Sequence, residues 1–188
     1  GWMKGGFLGV DIFLVISGYF ISKNILADNQ GAVFSFKRFY TKRLRRLFPA
    51  LVLTILLVLL GGYFLLTPAA YQRLGESSIF SALSASNIFF WSEAGYFDES
   101  ASAKPLLHMW SLSLEEQFYL IWPLILLILF RFFRKYIFIL ILGGIILSVV
   151  CAEFYFDMDR SATFFLLPFR MFEFMCGAIC VRLEWMLK

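Results

Sequence analysis

The chain has 188 residues, of which 61% are hydrophobic, 20% aromatic and only 16% charged, with a formal net charge of +4; its mean hydropathy is +0.79. Soluble domains average about 45–50% apolar and about 25% charged residues, so an ordinary soluble domain is excluded. The composition predicts an all-α, polytopic transmembrane helical bundle with room for roughly five or six spans of about 20 residues. Six of the 17 Lys and Arg residues lie between Lys37 and Arg46, so the positive charge is a local block; membrane lipid is an expected partner and nucleic acid is not.

The first apolar run covers residues 7–26, "FLGVDIFLVISGYFISKNIL", and Asp11 interrupts it. No signal-peptide pattern precedes it, and residues 1–188 are expected to be part of a transmembrane domain cut at both ends. At helical spacing Asp11, Gly18 and Ser22 share a face, and Gly18 with Ser17 predicts close helix packing. A polar stretch and the basic block "FKRFYTKRLRRLFPA" follow, then a second span over 47–66 with Pro49 in its first turn, ended by Thr67 and Pro68. Residues 76–91, "ESSIFSALSASNIFFW", would reach about 24 Å as a helix, short of an apolar core of about 30 Å. They are expected to be re-entrant or peripheral.

An acidic loop leads into "LLHMWSLSLEEQFYLIWPLILLILF", residues 106–130, which carries the chain's single histidine. A basic "RFFRK", a span over 136–152, an acidic "EFYFDMDR" and a last apolar segment over 162–183 complete the order. Basic loops favour the cytoplasm, which places both the Lys37 to Arg46 block and Arg131, Arg134 and Lys135 inside; segment 76–91 then does not cross. The cysteines Cys151, Cys176 and Cys180 sit in apolar segments without metal-ligand spacing, and no metal is expected.

Ionisable residues near the centre of a span cost about 2.5–3.5 kcal/mol each on insertion scales, so Asp11, Glu115, Glu116, Arg170 and Glu173 stand out. At about 100° per residue, His108, Ser111, Glu115, Tyr119 and Trp122 fall on one arc, with Glu116 to the side. Pro123 cannot donate to the carbonyl of Tyr119, which frees an acceptor there. Two readings stay open: acidic groups anchoring a helix start in the interface, or a polar cavity. Arg43 and Arg46 share a face if the second helix begins early, and could grip phosphate or simply mark a cytoplasmic loop. Arg170 and Glu173 have the spacing of an intrahelical pair.

Four motifs, "GGFLGVDIFLVISGYFI", "RFYTKRLRRLFPA", "LLHMWSLSLEEQFYLIWP" and "FRMFEFMCGA", resemble in order and spacing the acyltransferase-3 family. These are integral-membrane acyltransferases, mostly bacterial, that O-acetylate cell-surface glycans. The resemblance implies an O-acyltransferase of the inner (plasma) membrane that takes an acyl group from acyl-CoA, here acetyl-CoA, to a glycan hydroxyl. Lipopolysaccharide, peptidoglycan and exopolysaccharide are the implied acceptors, and a C-terminal SGNH-type domain often follows in this branch.

By the resemblance Arg43 and Arg46 handle the acyl-CoA, Glu115 is the carboxylate of the family's WSLxxE motif, and Arg170 and Glu173 match its RxxE. Catalytic candidates are thus Glu115, with Tyr119 and His108 from the same arc; Asp11, Ser111 and Glu116 join Arg170 and Glu173 as polar groups for substrate or structure. The family's histidine precedes the GVD motif, whose glycine is Gly9, and would fall before Gly1. His108 is not its equivalent, so the chain as given is expected to be inactive. The alternative is a transporter or flippase of a lipid-linked sugar, which would favour internal repeats; the sequence has none.

Overall fold

The computed structural model describes residues 6–29, 34–94 and 104–186. Among them every regular element is a helix: α1 (Gly6–Asn29), α2 (Phe36–Leu65), α3 (Pro68–Ala82), α4 (Ser86–Glu93), α5 (Met109–Phe132), α6 (Ile137–Phe156), α7 (Arg160–Phe165) and α8 (Leu167–Met186). Five stretches are long and apolar enough to cross a membrane, at Leu8–Leu26, Phe36–Leu65, Met109–Phe132, Ile137–Phe156 and Arg160–Val181. The all-α polytopic bundle is therefore present.

Three boundaries differ from the sequence expectation. Helix α2 begins at Phe36, well ahead of residue 47, because Ser35 caps it by accepting from the Arg38 amide at 3.4 Å and the Lys, Arg and Leu that follow are good helix formers. Pro49 consequently lies inside the helix, where it leaves the Arg45 carbonyl without its helical donor. Segment 76–91 is not one helix. Thr67 caps α3, with Pro68 in its first turn. It closes at Ser84 (φ 57°), where the Ala85 amide reaches back to the Phe80 carbonyl at 2.8 Å, a Schellman closure; α4 restarts at Ser86. The last segment divides as well: Asp159 caps α7, the chain breaks at Leu166, and Pro168 opens α8, where its missing amide is harmless.

The chain forms two compact units, residues 1–33 with 115–188 and residues 34–114. In the first, α1 meets Glu115 through Ser17 and Trp122 through Ser22, so α1 and α5 run parallel. It likewise meets Arg170 through Asp11 and Glu184 through Lys23, so α8 runs the same way. The α1–α8 contact is close because both sides supply glycine. A methyl group on Gly18 would strike the backbone of Phe174, and one on Gly177 the backbone of Val15 and Tyr19. The expected packing role of Gly18 is met, with Gly177 as its counterpart. Phe174 stacks on Phe118 (centroids 4.2 Å, interplanar 11°), which stacks on Trp122; all three are fully buried. Helix α6 adds Ser148, whose hydroxyl donates to the Pro168 carbonyl at 2.7 Å and accepts from the Phe172 amide.

In the unit of residues 34–114 buried serines are satisfied mostly within their own helix. Ser77 and Ser78 donate to the Leu74 carbonyl and Ser81 to that of Ser77, so buried hydroxyls are satisfied along α3 itself. Ser86, at the start of α4, shares a 2.7 Å hydroxyl contact with Ser113 of α5.

Candidate functional site

Glu115 is buried at the seam of α1 and α5. Its Oε1 accepts from the Ser17 hydroxyl at 2.6 Å and from the Tyr119 hydroxyl, both themselves buried. Two hydroxyls on one oxygen hold the carboxylate while leaving Oε2 without a hydrogen bond among the described residues. No lysine or arginine forms an ion pair with Glu115 there either. About two turns further along α5, the Trp122 indole donates to Ser22 at 2.8 Å, fixing the register of the two helices.

This geometry divides the arc drawn from the sequence. Glu115, Tyr119 and Trp122 do share the buried face. His108 does not belong with them: it lies in the turn 105–108 before the helix starts, its side chain is exposed, and helical spacing does not apply to it. Ser111 is half-buried and spends its hydroxyl on the His108 carbonyl at 3.2 Å. Glu116 is half-buried beside the seam.

A second cluster joins α1 to α8. Arg170 holds Asp11 through Nη2 at 2.5 Å and Glu173 through Nε at 3.1 Å. The expected pair of Arg170 and Glu173 forms, and Asp11 joins it from the other helix. One guanidinium thus serves two carboxylates, and Glu173, almost wholly buried, keeps Oε2 without a donor among the described residues. Glu115 and Arg170 each precede a stacked aromatic, Phe118 and Phe174, by about one turn. In parallel helices that sets both polar groups on the same side of the aromatic layer.

Further along α1, Tyr19 donates to Glu184 at 2.6 Å and Lys23 donates to Tyr19 at 2.7 Å and to Glu184 at 3.2 Å. Sequence reasoning missed this cluster, and it missed Ser17 as a partner of Glu115. The signal for Ser17 was present, a hydroxyl five residues before Ser22 on a span that already carries an acid, but small residues in spans read first as packing.

Arg43 and Arg46 stand on one face of α2, since the helix does begin early. The Arg43 guanidinium lies 6.0 Å from the Phe39 ring centroid and Arg46 is exposed. Two forked cations thus share one helical face. Among the described residues no cluster of His, Cys, Asp and Glu could hold a metal ion.

Residues 3–188 match a family model described as an acyltransferase domain. The chain is 35% identical to the peptidoglycan O-acetyltransferase OatA of Listeria monocytogenes, over 94% of this chain and 29% of that protein. It is 36% identical to the putative membrane-bound transacylase BcsY of Komagataeibacter xylinus, over 100% and 46% respectively. An uncharacterised protein of Haemophilus influenzae is 36% identical over 90% of this chain and 72% of its own length. The chain therefore spans less than half of both named transferases. No solved structure matches it.

Proposed function

The chain belongs to the acyltransferase-3 family, and from that premise we propose that the protein transfers an acetyl group from acetyl-CoA to a hydroxyl of a cell-surface glycan at the bacterial inner membrane. That it is a membrane-bound O-acyltransferase follows from the family and the five spans; donor, acceptor and membrane are the proposal. The observation that carries it is Glu115, a carboxylate taken into a membrane span and held by Ser17 and Tyr119. Nothing in packing alone requires so costly a group.

Transfer breaks the thioester C–S bond, forms an ester C–O bond and moves the hydroxyl proton to a base, which passes it to the departing coenzyme A thiolate. That base is assigned to the histidine that the family carries ahead of the GVD motif. Glu115 would balance the resulting positive charge, with Oε2 free for the purpose and Oε1 fixed by the two hydroxyls. Arg43 and Arg46 would bind the donor's phosphates, and Tyr119 positions Glu115. Lipopolysaccharide, peptidoglycan and exopolysaccharide are the acceptors to offer.

The test uses the intact reading frame in membrane vesicles supplied with radiolabelled acetyl-CoA. Label is expected in glycan with the parent, to fall by about 10²-fold or more in Glu115→Gln, the scale of a lost acid–base partner, and to vanish in Arg43→Ala/Arg46→Ala at matched expression. Undiminished transfer by Glu115→Gln would remove the carboxylate from the mechanism. A well-expressed parent that labels none of the three acceptors would overturn the reading as a whole.

A further inference from the structure

The early start of α2 sorts its six basic residues onto two faces. Arg43 and Arg46 lie with Phe39, which is buried. Arg38, Lys42 and Arg45 lie on another face, with Lys37 beside them, at the helical repeat of about 100° per residue. These four side chains are exposed, and none of them pairs with a carboxylate among the described residues. They line, with Ser35 and Thr41, a shallow groove of about 430 Å³. Arg45 also borders an adjoining notch of about 440 Å³ whose other walls are Leu44, Phe48 and Pro49.

Within two turns the surface passes from cationic to apolar on a helix that then enters the membrane. A soluble phosphate would match only the first half of that surface. A phospholipid matches both, its headgroup on the cations and the top of its chain against Phe48 and Pro49. The basic end lies on the side that the charge rule assigns to the cytoplasm, where the leaflet is anionic and draws juxtamembrane Lys and Arg. We propose that Lys37, Arg38, Lys42 and Arg45 form a binding site for the headgroup of an anionic phospholipid, separate from Arg43 and Arg46. The proposal does not depend on the acyl-transfer reading.

The experiment reconstitutes the intact protein in phosphatidylcholine vesicles containing a trace of spin-labelled phosphatidylglycerol or spin-labelled phosphatidylcholine. The motionally restricted fraction of each lipid gives their relative association with the protein. The parent is expected to favour phosphatidylglycerol, and Arg38→Gln/Lys42→Gln/Arg45→Gln to lose that preference by up to about fivefold for each charge removed. Arg43→Gln/Arg46→Gln is expected to keep it. Equal association of the two lipids with the parent would overturn the proposal, and so would an unchanged preference in the triple variant. Millimolar coenzyme A or inorganic phosphate releasing the bound lipid would reassign the face to a soluble phosphate and overturn it too.

Discussion

Arg170, between α1 and α8, meets a carboxylate on each side, whereas Arg38 and Arg45 on the first turns of α2 meet none among the described residues and stand exposed. The difference follows from solvent. A charge taken into a span loses its hydration and must be matched by the fold. A charge at the membrane boundary keeps its water and is matched by whatever arrives there. Buried clusters therefore specify helix register, while the exposed basic face is available to ligands.

Removing the match at Arg170 should have the largest effect. Arg170→Ala leaves the buried Glu173 without its cation and the half-exposed Asp11 without its partner; stripping one partner from a buried pair, here Glu173, costs about 3–5 kcal/mol. A melt of the detergent-solubilised protein should fall steeply, and adding Asp11→Asn with Glu173→Gln should recover most of the loss. No recovery would show that Arg170 acts by packing instead. Gly177→Ala comes next, because its methyl group would meet the backbone of Val15 and Tyr19; overpacking costs about 1–3 kcal/mol, read in the same melt.

Ser17→Ala should cost about 1 kcal/mol for one lost hydrogen bond. On the proposed function, acyl transfer should fall further than that loss alone would bring about, because Oε1 of Glu115 would keep only Tyr119. Ser17→Thr should restore transfer if the hydroxyl matters, and a Ser17→Ala variant with unchanged transfer would reduce Ser17 to packing. At the other end of the scale, Arg45→Gln should leave the melt within about 0.5 kcal/mol of the parent. A larger shift would mean that the basic face supports the fold, and the contrast with Arg170 would fail.

How far the sequence could be read depends on the range of the interactions. The five spans were legible because hydropathy and length act within a single helix. Glu115 with Tyr119, and Arg170 with Glu173, were legible because one helical turn joins them. His108 was misplaced because its wheel position presumed a helix that begins one residue after it. The division of 76–91 at Ser84 was hidden because a serine, with no glycine, takes the left-handed position. The contact of Asp11 with Arg170 spans 159 residues; only tertiary packing of α1 on α8 makes it, and no local pattern announces it. Ser17 with Glu115, at 98 residues, is the same case.

The parallel arrangement of α1, α5 and α8 sets a condition on biosynthesis. Parallel neighbours cannot be joined by a tight hairpin, so the ribosome must deliver the intervening segments before α1 finds either partner. At about 5–20 residues per second, some 159 residues of further synthesis leave Asp11 waiting about 8–30 s for its arginine. Over that interval α1 must reside in the bilayer, or beside the insertion machinery, with its acid unmatched.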